Sequence, residues 1–134
     1  MKKLVFLLMM SLSSLTFMAQ GIDADHHRKA PHRHEHVCVV PAYTPEEISE
    51  ITSTLKNLNF DDNRMPVAKL FVKVRPVTVN GLESMAKQFS FDDKKVNFLV
   101  FAYDYCIDKE NYSRLRNVFN FSSNSDKFLN ALGL

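Results

Sequence analysis

Leu58-Asn59-Phe60-Asp61-Asp62, Phe89-Ser90-Phe91-Asp92-Asp93 and Phe119-Asn120-Phe121-Ser122-Ser123 are three versions of one pentapeptide, set 31 and 30 residues apart. Each interrupts one apolar helical period and is followed by another, so each reads as a bent joint between two helices. Two apolar side chains flanking a polar one would pin the turn to a core, while the Asp or Ser after them accepts backbone N–H groups and starts the next helix. Three helix pairs follow, over 45–58 with 64–75, 79–88 with 94–106, and 109–118 with 124–132. The expected fold is all-α: a compact bundle of about six short helices arranged as three helix-turn-helix pairs.

Working outward, Thr44, Pro45 and Glu47 place a capping hydroxyl, a first-turn proline and a reciprocal acid at the spacing of a helix start. Ile48, Ile51, Leu55 and Leu58 then recur at intervals of three and four, giving one buried stripe. In the second helix Pro66 removes a donor, and Leu70 to Val74 is β-branched enough to resemble a strand. Arg75 should end that helix, because a residue before proline is pushed out of helical geometry. Thr78 opens the third helix, with Leu82, Met85, Ala86 and Phe89 inward despite Gly81. The fourth carries Val96, Leu99, Val100, Tyr103 and Ile107 on one stripe widened by Phe98, Phe101 and Ala102. A helix apolar on most of its circumference belongs in the middle of a bundle. Asp108 is expected to cap the fifth helix, and Gly133 to stop the last.

The chain has 134 residues. Lys2 and Lys3 precede an apolar run from Leu4 to Met10 and a small-residue slope to Ala19, the pattern of an export signal over 1–20 and too short a run to span a bilayer. Residues 21–43 form a His-, Arg- and Pro-rich leader or spacer, and 44–134 the helical domain. The mature molecule should therefore be periplasmic or extracellular, with no stable membrane insertion after signal removal. Of 17 basic and 15 acidic residues, two basic ones leave with the signal, which brings the balance to 15 against 15. A neutral chain offers no field to attract nucleic acid.

The stretch Phe89 to Lys95, then Phe101-Ala102-Tyr103, Asp108-Lys109-Glu110-Asn111-Tyr112 and Phe119-Asn120-Phe121, resembles the exported domain-of-unknown-function family 4476, typical of Bacteroidota. The resemblance covers about Thr44 to Leu132. It implies a small, all-helical, secreted domain and brings no catalytic residues with it.

Five histidines, His26, His27, His32, His34 and His36, crowd the leader, and imidazole is a common ligand of zinc, copper and nickel. His32, His34 and His36 would project to one side of an extended chain, with Glu35 or Cys38 to complete a site, although the spacing matches no closed zinc motif. Signal cleavage after Ala24 would expose Asp25-His26-His27, an amino terminus able to wrap Cu(II). A solvated, pH-sensitive spacer is the plainer reading of the same residues. Cys38 and Cys106 are expected to pair, since exported thiols meet an oxidising compartment. A loop of roughly 67 residues so closed would gain about 4 kcal/mol. The alternative is Cys106 as a small core residue and Cys38 as a free thiol.

Asp61-Asp62 and Asp92-Asp93 read as helix caps rather than a catalytic dyad or calcium loop. Tyr103, Tyr105 and Tyr112 read as core or rim aromatics. No nucleophile sits in a recognisable setting, only three glycines are present, and every histidine precedes Thr44. The expected function is thus non-enzymatic: an exported helical module that binds an envelope or secreted protein, or serves structurally there. The alternative is metal sequestration by the leader.

Overall fold

In a computed structural model, residues 39–134 are described. Helix α1, Pro45–Asn57, starts as its sequence dictates: the Glu47 amide donates to the Thr44 hydroxyl at 3.3 Å and the Thr44 amide to the Glu47 carboxylate at 2.8 Å. Ile48, Ile51 and Leu55 are buried on its inner face, with Leu58 half-buried just beyond. Helix α2 runs Asp61–Val74, three residues earlier than the spacing predicts, and carries Pro66 within it. The β-branched stretch at its end is helical, because Ala68 and Val72, four apart, are both fully buried. Arg75 leaves the helix in extended geometry ahead of Pro76.

Thr78 caps helix α3, Val79–Ala86, by accepting from the Gly81 amide at 3.3 Å. Gly81 has a packing reason: a Cβ there would lie 2.8 Å from Val77 Cγ1 and 3.0 Å from Ile48 Cδ1, so its absence lets α1 and α3 approach. Helix α4, Asp92–Ala102, buries Val96, Phe98, Leu99 and Ala102, as a central helix must. It tightens into a 3₁₀ turn at Tyr103–Tyr105 and then becomes extended at Cys106. Ile107, expected on the α4 stripe, is consequently 57% exposed, because helical periodicity has ended before it.

The fifth element, Lys109–Val118, is a 3₁₀ helix. Its buried residues are Tyr112, Leu115 and Val118, a strict interval of three, which matches the three residues per turn of that helix. Helix α5, Ser122–Leu132, closes on Gly133 at φ 68°, with the Gly133 and Leu134 amides turned back to Asn130 and Leu129 carbonyls.

Each repeat is thus an extended linker, a first helix, a corner and a second helix. The first helices pack in one row, α1 on α3 and α3 on the 3₁₀ helix, and the second helices in another, α2 on α4 and α4 on α5. The linkers also meet side by side. Tyr43 donates its amide to Pro76 O, Val77 to Tyr105 O and Ile107 to Val77 O, the last two making a single parallel bridge between Val77 and Cys106. Tyr112, Phe98 and Phe128 are the largest fully buried side chains, and the Tyr112 hydroxyl is satisfied by donating to Leu99 O at 2.6 Å.

Candidate functional site: the corner edge

The two apolar residues of each corner separate. The first of each pair faces the core, with Leu58 and Phe119 half-buried and Phe89 only 2% exposed. The second faces solvent: Phe60 is 76%, Phe91 69% and Phe121 67% exposed. The expectation that both members pin the turn is therefore half corrected. The reason lies in the next residue and in the backbone. Asp61 and Asp92 are drawn inward to 5% and 7% exposure, and the amides of Phe91 and Phe121 point at those carboxylates, which sends the rings outward.

The carboxylates do not cap their own helices, as the sequence suggests; each reaches across to the following corner. Asp61 accepts from Ser90 N–H at 3.0 and 2.9 Å and from Phe91 N–H at 2.9 Å. Asp92 accepts from Asn120 N–H at 2.8 Å and Phe121 N–H at 3.0 Å, with the Asn120 and Asn124 side-chain amides added. Aspartate at the first position inside a helix lies past the capping site, which Phe60 occupies before α2 and Phe91 before α4, so its side chain is free to serve a neighbour.

A cation three residues on completes each joint. Arg64 pairs with Asp61 at 3.0 Å and donates to Leu55 O, Leu58 O and Gln88 O. Lys95 pairs with Asp92 at 3.1 Å and donates to Val118 O at 2.9 Å. Gln88 and Val118 each immediately precede the inner Phe of their corner, so the two joints use the same positions. Burial by itself raises both aspartic acids, but the two corner amides and the cation outweigh it and hold each carboxyl below its ordinary value. Outside these joints Asp62 pairs with Lys94, and Asp93 with Lys127 at 3.4 Å, so the exposed charges of the edge are neutralised in pairs.

An open depression of about 490 Å³ lies between the first two corners, with Phe60 and Phe91 among its walls. A second groove of similar size lies at the linker end, where Val39 and Val40 share the lining with Tyr105, Cys106 and Ile107.

The remaining sequence-predicted residues fall as follows. His26, His27, His32, His34, His36 and Cys38 lie outside the described residues. Cys106 is buried; burial, together with the Asp108 carboxylate that its thiol meets at 3.3 Å, pushes it up to about 12. Asp108 does not cap the helix that follows it. At φ −117° and ψ 56° it lacks capping geometry, and it accepts instead from Val79 N–H at 2.8 Å, serving α3 alongside Thr78. Tyr112 is core, and Tyr103 and Tyr105 are half-buried against it. Among the described residues no cluster of three or more His, Cys, Asp or Glu is placed to hold a metal, and no helix is long and apolar enough to cross a membrane.

Two signals for this edge stand in the sequence. One is Phe, three times, at the position before a second helix, where Ser, Thr, Asp or Asn is favoured. The other is an acid followed three residues later by Arg or Lys in the first two corners, replaced by Ser122 and Ser125 in the third.

No curated protein and no solved structure matches the chain. A family model described as a domain of unknown function matches residues 42–132, from the linker before Thr44 to the end of α5. That span takes in all three helix pairs and both carboxylate joints, and the chain belongs to the DUF4476 family.

Proposed function

We propose that this chain is an exported, non-enzymatic module whose row of corner phenylalanines is the contact edge for a protein of the cell envelope or the extracellular space. The observation that carries the reading is the outward Phe in all three repeats. Phe gives no side-chain cap to α2, α4 or α5, and the missing cap costs each helix about 1 kcal/mol relative to Ser or Asp. A residue that costs stability three times and exposes an aromatic ring three times suits a contact surface, where aromatics are enriched. The paired charges around the rings supply no net field for nucleic acid or an anionic bilayer, which favours a protein partner.

Export rests on the signal pattern of residues 1–20. A Cys38–Cys106 bond belongs to the same reading. Val39 and Val40 line the groove that Cys106 also lines, which supports that pairing. Since Cys106 is buried and protonated in the folded domain, the bond would form before the core closes, its two electrons and two protons passing to a thiol oxidant.

The test is a photo-crosslinking amino acid placed in turn at Phe60, Phe91 and Phe121, and at the exposed controls Glu50 and Asn130, in cells that export the protein. One product of a single mass from the three corner sites and none from the controls is expected. Equal products from the controls, or none from the corners, overturns the assignment.

A further inference from the structure

We infer that the first corner is an empty seat for the acid-and-base pair of a partner's helix start. In the second corner, Ser90 N–H and Phe91 N–H grip the Asp61 carboxylate while Gln88 O takes Arg64. In the third, Asn120 N–H and Phe121 N–H grip Asp92 while Val118 O takes Lys95. The same two donors and one acceptor in the first corner are Asn59 N–H, Phe60 N–H and Asn57 O. Among the described residues nothing bonds to any of the three. The ungripped corner also has a different backbone, with Phe60 at φ 168° where the gripped Phe91 and Phe121 lie at −107° and −120°.

The occupant is defined by the interface that the seat continues. It is a helix start bearing Asp, with Arg or Lys three residues later, since that pair fills the equivalent seat twice within this chain. Complementarity is electrostatic: two N–H dipoles suit the carboxylate and a carbonyl suits the cation. The outer face of α1, with Ser49, Glu50, Ser53, Thr54, Lys56 and Asn57 exposed, is polar, so the seat suits a charged helix start rather than a further apolar repeat. A second copy is poorly equipped to supply the pair. Its Asp61–Arg64 and Asp92–Lys95 are engaged, and its third corner presents Ser122 and Ser125 in their place. The array is thereby polar, with a receiving end and a silenced one. This inference uses backbone groups of the first corner and does not rest on the phenylalanine row.

The probe is a synthetic peptide of this chain's residues 57–75, which carries Asp61 and Arg64, titrated into the mature protein and followed by amide resonances. The Asn59 and Phe60 amides should shift, while Ser90, Phe91, Asn120 and Phe121 stay in place. An Asp61→Asn peptide should bind at least about tenfold more weakly, the scale of one charge-assisted hydrogen bond. To cover a peptide that fails to hold its helix, the chain variant Ser122→Asp with Ser125→Lys presents the pair on folded α5. It should self-associate in sedimentation where the parent chain does not, and adding Asn59→Pro, which removes one donor, should reverse this. A Phe91→Ser, Phe121→Ser protein that still binds the peptide separates this seat from the row. Equal binding of the Asn peptide, shifts confined to other residues, or failure of both peptide and variant overturns the inference.

Discussion

The joint between the first and second repeats and the joint between the second and third do one job with different cations. Arg64 spreads its planar fork over Leu55 O, Leu58 O, Gln88 O and Asp61, so it also ties its own corner together. Lys95, a point charge on a flexible stem, reaches only Asp92 and Val118 O. Asp92 makes up the difference by recruiting the side-chain amides of Asn120 and Asn124, which have no counterpart around Asp61. The comparison teaches that the repeat preserves an arrangement, a carboxylate on two amides with a cation on the preceding carbonyl, rather than particular residues. It also locates the more costly joint. The two carboxylates are about equally buried, but Lys95 is 7% exposed and Arg64 15%, so the second joint holds the more deeply buried cation.

Breaking the second joint should therefore do the most damage. Asp92→Ala leaves Lys95 buried without its counter-charge and two corner amides unpaired, and denaturant titration should show a loss of about 3–5 kcal/mol. Asp61→Ala removes the same kind of acceptor, yet Arg64 keeps three carbonyl partners and more water. A smaller loss of about 2–3 kcal/mol is expected, and an equal or larger one would refute the ranking. Arg64→Lys keeps the charge but not the fork, for about 1–2 kcal/mol, whereas Lys95→Arg should gain nothing, because no further carbonyls await it.

Acid sharpens the picture from another side. Both carboxyls lie below their unfolded value when folded, so their contribution is complete above about pH 4 and is lost as pH falls through the lower folded values. Replacing both aspartates by Asn should flatten that limb of the stability curve, and an unchanged acid limb would show that other carboxyls set it. The smallest effect is reserved for the outer rings. Phe91→Ser should change stability by less than about 0.5 kcal/mol, as for an ordinary surface site, while Phe89→Ser, on the buried side of the same corner, costs several times more.

Much of the architecture was legible along the chain because helix formation rests on near-neighbour periodicity. The Thr44 and Thr78 caps, the stop at Arg75, the buried faces of α1 and α3 and the centrality of α4 all depend on residues within a turn or two of one another. Sequence and fold part company where a side chain is claimed by a distant partner. Asp61, Asp92 and Asp108 look like local caps, but the amides they satisfy lie 29 residues away or thereabouts. The interval of Tyr112, Leu115 and Val118 could have announced the 3₁₀ helix, since three per turn is its own period.

The sequence by itself determined where helices start and stop, that three similar pairs follow one another, and which stripes are apolar, because caps, prolines and hydrophobic spacing act over a few residues. Only the tertiary structure decided which Phe of each corner turns outward, which amides each carboxylate grips, and why Gly81 stands where α1 meets α3. Those outcomes depend on stacking one repeat against the next, and a buried charge goes wherever the packed neighbour offers it donors, irrespective of distance along the chain.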